Sequence, residues 1–172
     1  MDIQEITLDS LLASRERRSA RQQELLSENP ELTLVCMTVV MPGNVKRNPN
    51  SLIVAESATK ALRETFADSI TYYEEHDLVT GFEAYLLTTH DQLTAKRLAC
   101  SIEDSHPLGR LFDIDIIDRE KGPISRAVVN EQPRKCLICD NEARFCMRNH
   151  THSQDEIQQR VAEIIENYVQ RI

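Results

Sequence analysis

The chain has 172 residues, 41% of them hydrophobic, which suits one compact domain with terminal elaboration and a core of useful size. Aromatics are sparse at 5%, with no Trp, so that core must be built from Leu, Ile, Val and Ala. A formal charge of −8, from 28 acids against 20 Lys and Arg, argues against a general binder of nucleic acid or of a membrane surface, since either needs a basic face.

Residues 1–10, MDIQEITLDS, have neither the basic nor the apolar region of a secretory signal, and no run approaches the roughly 18 apolar residues of a membrane span. The chain therefore reads as cytoplasmic. In such a reducing compartment its five cysteines point to core residues, metal ligands or reactive thiols rather than a disulfide framework.

A helix is expected over Leu8–Asn29, capped by Thr7 or Asp9, with Leu8, Leu11 and Leu12 opening an apolar stripe and Pro30 ending it. Leu32–Met41 (LTLVCMTVVM) is too continuously apolar for a half-exposed strand and predicts a central one covered on both faces. Ser51–Ala67 follows as a helix with Leu52, Ala55, Thr59, Leu62 and Phe66 on one face. Ile70–Leu78 and Phe82–Leu87 read as two strands turning around Thr80-Gly81, and Asp91–Ser105 as another helix. Leu111–Ile117 alternates cleanly, with Asp113 and Asp115 on one face and Phe112, Ile114 and Ile116 on the other. At the end, Ser153 with Glu156 makes a capping box for a helix whose stripe is Ile157, Val161, Ile164, Tyr168 and Ile172.

The order β-α-β-β-α-β places the chain in the α+β class, with a ferredoxin-like (split β-α-β) or nucleotidyltransferase-like sheet core. Within a single domain spanning 1–172, an Arg-rich helix (8–29) precedes the core (32–118), and a Cys-containing extension (123–172) follows it. The split arrangement sets the first and last strands side by side, bringing Met41-Pro42-Gly43 close to the two aspartates.

Four features could carry chemistry. Asp113 and Asp115 project from one face of a mostly apolar strand, where their repulsion is costly unless a cation lies between them. Oxygen-only ligands suit Mg²⁺, which takes further oxygens from substrate phosphates; the bland alternative is a pair of wet aspartates on an edge. Just upstream, Gly109 allows close backbone approach to a ligand, Arg110 offers a planar fork for phosphate, and His106 can be a proton acceptor, a phosphate contact or a helix end. Second, Arg15, Arg17, Arg18 and Arg21 form the densest basic cluster on an acidic chain, either a polyphosphate site or a solvated face balanced by Glu16 and Glu24. Third, the turn Pro42-Gly43-Asn44-Val45-Lys46 can present amides and a point charge to phosphate, although it lacks Walker A spacing. Fourth, Cys136-x2-Cys139-x6-Cys146-x5-His152 is compatible with zinc. Its six-residue gap is not a standard finger spacing, and buried thiols are the favoured reading. Arg134, Lys135, Arg144 and Arg148 can instead extend a positive pocket.

Taken in order, RERRSARQ (15–22), PGxxK (42–46), HPLGRLFDIDI (106–116) and RKCLICDNEARFCMRNHTH (134–152) resemble the apo-citrate lyase phosphoribosyl-dephospho-coenzyme A transferases, the holo-acyl-carrier-protein synthases of citrate lyase. The resemblance spans about residues 10–170, and GRLxDID together with CLxC…C…H is specific. It implies that a serine of the citrate lyase acyl carrier (γ) subunit attacks the α-phosphorus of 2′-(5″-triphosphoribosyl)-3′-dephospho-coenzyme A. Pyrophosphate leaves, and the prosthetic group remains on the carrier. On this reading Asp113 and Asp115 bind Mg²⁺, while Arg110, Lys46, Gly109, Arg134 and the Arg15–Arg21 face hold the triphosphate. His106 or an aspartate takes the serine proton, and the carrier docks on the arginine helix. The Gly-Ser pair that usually accompanies such a DxD is absent, and HPLG-Arg110 stands in for it. The alternatives are a non-catalytic assembly domain that binds the carrier, or a nucleotidyltransferase using an ordinary nucleoside triphosphate.

Overall fold

The computed structural model describes residues 4–171, so Ile172, the last member of the predicted terminal stripe, lies outside the described residues. The apolar run at 32–41 forms β1 (Thr33–Val39), buried on both faces over its first five residues. It pairs antiparallel with both β3 (Gly81–Thr88) and β4 (Phe112–Asp118). Beyond β3 lies β2 (Ile70–Leu78), and beyond β4 the two-residue β5 (Gly122–Pro123), giving the order β2-β3-β1-β4-β5 among the described residues. The fold is α+β, and the first and last strands of the β-α-β-β-α-β unit are neighbours, as its pattern demands.

Strand alternation sends the two side-chain sets of β1 to different helices. Val35 and Met37, with Ala84, Leu86, Ile114 and Ile116, join the larger core beneath α2 (Pro49–Phe66), α3 (Gln92–Ser105) and α5 (Gln154–Val169). Leu34 and Cys36, with Tyr85, Leu87 and Ile117, meet Leu25 and Leu26 of α1 (Leu8–Glu28) on the opposite face. Each fully buried Leu or Phe, such as Leu62 or Phe66, contributes about 1.5–3 kcal/mol of hydrophobic transfer.

The helix starts follow local capping chemistry. Thr7 and Ser10 make a capping box for α1, and Ser153 and Glu156 make the expected one for α5. Helix α2 begins two residues before the expected start, because Asn48 and Ser51 cap it and Pro49 suits its first turn. The turn after β1 places Gly43 at φ +79°, a backbone region that favours glycine. In the C-terminal extension, Cys136 N–H donates to Asn141 O (2.8 Å) and Ala143 N–H to Arg134 O (2.8 Å), closing a small hairpin ahead of the seven-residue α4 (Ala143–Asn149). No described helix is long and apolar enough to cross a membrane.

Candidate active site

Helix α1 lies on the face of the sheet that carries Asp113 and Asp115. Between them is a pocket of about 200 Å³ lined by Arg15, Arg18, Ser19 and Gln22 of α1, Cys36 and Thr38 of β1, Asp113, Asp115 and Ile117 of β4, and Pro123. The strand register sets Asp115 opposite Cys36 and Asp113 opposite Thr38, so the paired aspartates stand on a floor supplied by the central strand. The Asp113 side chain is about half exposed, whereas Asp115 is more enclosed. Burial, and then the charge of Asp113, pushes the Asp115 carboxyl up to about 6. A hard divalent cation offsets both penalties, so the donor set suits Mg²⁺. The Cys36 thiol is driven up to about 12 by burial and is no nucleophile.

The four arginines of α1 divide. Arg18 Nε and Nη2 donate to Glu83 Oε1 at 3.1 and 3.0 Å, and Arg17 Nη2 reaches the same oxygen at 3.4 Å. Glu83 is buried and also accepts from Tyr85 Oη at 2.8 Å. Arg21 makes a fork to Glu74 at 2.7 and 2.9 Å. These contacts hold the helix on the sheet. Arg15 makes no ion pair among the described residues, and it shares the pocket wall with Arg18. Burial pushes the Arg18 guanidinium down, and the charge and hydrogen bonds of Glu83 outweigh it, so Arg18 stays firmly charged. Lys46 donates to Met41 O just past the end of β1, and its pKa is lowered by burial and then by the charge of Arg15.

The expected residues just upstream of β4, His106, Gly109 and Arg110, lie outside the pocket lining, as do Arg17, Arg21, Lys46 and Arg134. His106 caps the end of α3: its Nδ1 accepts from Leu108 N–H at 3.0 Å, and its ring sits 4.9 Å from Phe112 and 5.7 Å from Tyr168. Phe112 and Tyr168 belong to the α2/α3/α5 core, so His106 is across the sheet from the aspartates. Gly109 permits a close approach, but to protein: a Cβ there would collide with the backbone carbonyls of Ile102 and Glu103 at the end of α3. Arg110 is half-buried, and burial followed by the nearby charge of Arg134 lowers its pKa.

Arg134, by contrast, is brought to the aspartates. Its Nη2 donates to the carbonyls of Gly109 (3.1 Å) and Arg110 (3.0 Å), and its Nη1 stands 3.7 Å from both Asp113 and Glu103. Glu103 escaped the sequence reading. Buried on α3, it accepts from Ile114 N–H at 2.9 Å, on the β4 edge between the two aspartates, and receives Arg126 Nη1 at 2.8 Å. Burial raises its pKa, opposed by Arg134 and by the Ile114 amide. Lys96 is also buried, makes no ion pair among the described residues, and draws the Asp115 carboxyl downward. A signal for both was available: Lys96, Cys100 and Glu103 fall at i, i+4 and i+7, a charged pair on a buried helical stripe.

A family model described as apo-citrate lyase phosphoribosyl-dephospho-CoA transferase matches residues 6–168. The chain belongs to that family. Among its relatives is a protein named as a probable apo-citrate lyase phosphoribosyl-dephospho-CoA transferase in Streptococcus pyogenes serotype M18 (strain MGAS8232), 35% identical over 95% of this chain and 87% of the relative. A relative of the same name in Vibrio cholerae serotype O1 (strain M66-2) is 34% identical over 95% of this chain and 93% of its own length. Protein CitXG of Haemophilus influenzae (strain ATCC 51907 / DSM 11121 / KW20 / Rd) is 36% identical, and the match covers 95% of this chain but 36% of that longer protein. As a phosphoribosyl-dephospho-CoA transferase family member the chain is an enzyme, and the pocket beneath α1 brings Asp113 and Asp115 together with Arg15 and Arg18.

Proposed function

We propose that this transferase moves the phosphoribosyl-dephospho-CoA group from 2′-(5″-triphosphoribosyl)-3′-dephospho-coenzyme A to a serine of the citrate lyase acyl carrier (γ) subunit, in the cytoplasm. The observation that carries the reading is one pocket holding Asp113 and Asp115 against Arg15 and Arg18 in a chain of this family. Arg15, with Lys46 close enough to feel its charge, binds the outer phosphates, which leave as pyrophosphate. Arg18 keeps the wall basic while anchored to Glu83. Asp113 and Asp115 would hold Mg²⁺, which when bound neutralises phosphate charge and steadies the departing pyrophosphate.

The serine oxygen forms a bond to the α-phosphorus as the bond from that phosphorus to the bridging oxygen of the pyrophosphate breaks. The serine proton passes to a carboxylate oxygen of the Asp113–Asp115 pair. His106 is left to its place at the end of α3. Arg134 and Glu103 hold the Gly109–Asp115 segment in register, and the carrier approaches over the exposed side of Asp113.

The test is to incubate the apo carrier with the donor and Mg²⁺ and to weigh the carrier by mass spectrometry. The expected product carries the added mass of one phosphoribosyl-dephospho-CoA group on a serine. Labelling by an ordinary nucleoside triphosphate, or binding of the carrier without any mass change, would replace this reading with one of its two alternatives.

A further inference from the structure

The C-terminal extension carries four soft donor groups that the transfer reaction does not use. Cys136, Cys139, Cys146 and His152 come from three separate pieces of chain: the hairpin tip, α4, and the residue just before the Ser153 cap of α5. Their ligand atoms all lie within 4.8 Å of one another. Cys139 Sγ is 3.5 Å from Cys146 Sγ and 3.3 Å from His152 Nε2. A tetrahedral zinc ion with Zn–S bonds of about 2.3 Å has ligand atoms about 3.8 Å apart, so the four donors need only small shifts to surround one.

The local backbone has the matching form. Ile138 N–H points to Cys136 Sγ at 3.5 Å, two residues on, the kind of donor that stabilises a metal-bound thiolate in a C-x-x-C turn. Arg160 of α5 donates to Leu137 O at 3.2 Å, placing a positive charge beside the turn. Cys136 and Cys139 are only partly buried, at odds with their being ordinary core residues. Helix α4 has seven residues, and Phe145 and Met147 are 53% and 73% exposed, so the segment has little hydrophobic core to hold it.

We infer that Cys136, Cys139, Cys146 and His152 form a structural zinc site that clamps the hairpin and α4 to the start of α5. Four protein ligands close the coordination shell and leave no position for substrate, which sets the site apart from a catalytic one. Three cysteines with a histidine fit zinc better than an iron–sulfur cluster, which takes four cysteines; Cys36 and Cys100 are buried elsewhere. Binding displaces the three thiol protons and leaves the site with a net charge of −1. The hairpin begins at Arg134, the residue that braces Gly109 and Asp113, so the clamp sets the position of one wall of the active site without touching substrate.

The test is metal analysis of the full-length protein purified under reducing conditions without chelator, followed by Co²⁺ titration of the zinc-stripped protein. About one zinc per chain is expected, with the ligand-field and thiolate charge-transfer bands of tetrahedral cobalt at one equivalent. Cys139→Ser and Cys146→Ser should each lose zinc, whereas Cys100→Ser, a buried cysteine outside the cluster, should keep it. Stripping zinc should open residues 133–152 to proteolysis while the sheet keeps its circular dichroism. Absence of metal together with failure of the reduced wild type to take up Co²⁺ would overturn the assignment. So would full zinc content in Cys139→Ser, or a Cys139–Cys146 disulfide in the freshly purified, metal-free protein. None of these readouts depends on which group the enzyme transfers.

Discussion

Arg134 reaches within 3.7 Å of the Asp113 carboxylate while donating to the carbonyls of Gly109 and Arg110. A residue of the C-terminal extension thereby fixes both the loop before β4 and the charge around its first aspartate. Arg134→Ala should lower transfer activity by about 10–100-fold, the usual loss when the support of a metal-ligating group is removed. Arg134→Lys should recover little, because one ammonium cannot serve two carbonyls and two carboxylates in a planar fork. Steady-state labelling of the carrier, with unfolding curves for each variant, checks this; an Arg134→Ala protein with wild-type kcat would remove the brace from the account.

Asp115 is held with its charge disfavoured by burial and by Asp113. Asp115→Asn should therefore abolish transfer, yet raise the Mg²⁺-free Tm by a few degrees, on the order of what removing one unfavourable buried charge gives in a chain of this size. Added Mg²⁺ should raise the wild-type Tm and leave that of the variant unmoved. Differential scanning calorimetry with and without Mg²⁺ decides: a lower Tm for the variant contradicts the strained-pair interpretation.

The arginines of α1 should separate by function. Arg15→Ala should raise KM for the donor by about tenfold or more, as loss of one charge-assisted phosphate contact does, with unfolding nearly unchanged. Arg21→Ala should instead lower stability through loss of its fork to Glu74. Equal effects of the two substitutions on KM would show that the whole helix face binds phosphate.

Glu74 supplies a pH signature. The hydrogen bonds from Arg21, helped by Tyr72, hold its carboxyl at about 2, below its ordinary 4.5. The unfolded chain thus binds this proton more readily than the folded one, and the linked stability is complete above about 4.5 and disappears as pH falls through about 2. Urea unfolding across that window should show the loss in the wild type and a shallower one in Glu74→Gln.

His106→Ala should cost stability, roughly 1–3 kcal/mol, by removing a partly buried ring packed on Phe112 and Tyr168. kcat should change by less than about threefold, equivalent to under about 1 kcal/mol in the barrier. A folded His106→Ala protein with kcat down a hundredfold would return this histidine to the reaction.

Local patterns made much of the fold readable. The alternation of FDIDI, the Ser153–Glu156 capping box and the unbroken apolar run at 32–41 each reflect contacts between near neighbours or a simple two-faced burial, so the β-α-β-β-α-β order and the shared face of Asp113 and Asp115 were visible in the one-dimensional chain. The four arginines were visible as a charge cluster, but not the separation of Arg15 from Arg17, Arg18 and Arg21, which pair with Glu83 and Glu74 in strands more than fifty residues away. His106 and Gly109 stood beside the aspartates in sequence, and only the packing of α3 shows that neighbours along a strand entry can point to opposite faces of a sheet. The sequence by itself determined which elements form, which residue types could handle phosphate, and the ordered motifs of the family. Tertiary structure alone decided which of those residues share a pocket, because the ion pairs of α1 and the Glu103 brace join positions whose spacing along the chain carries no trace of their distance in space.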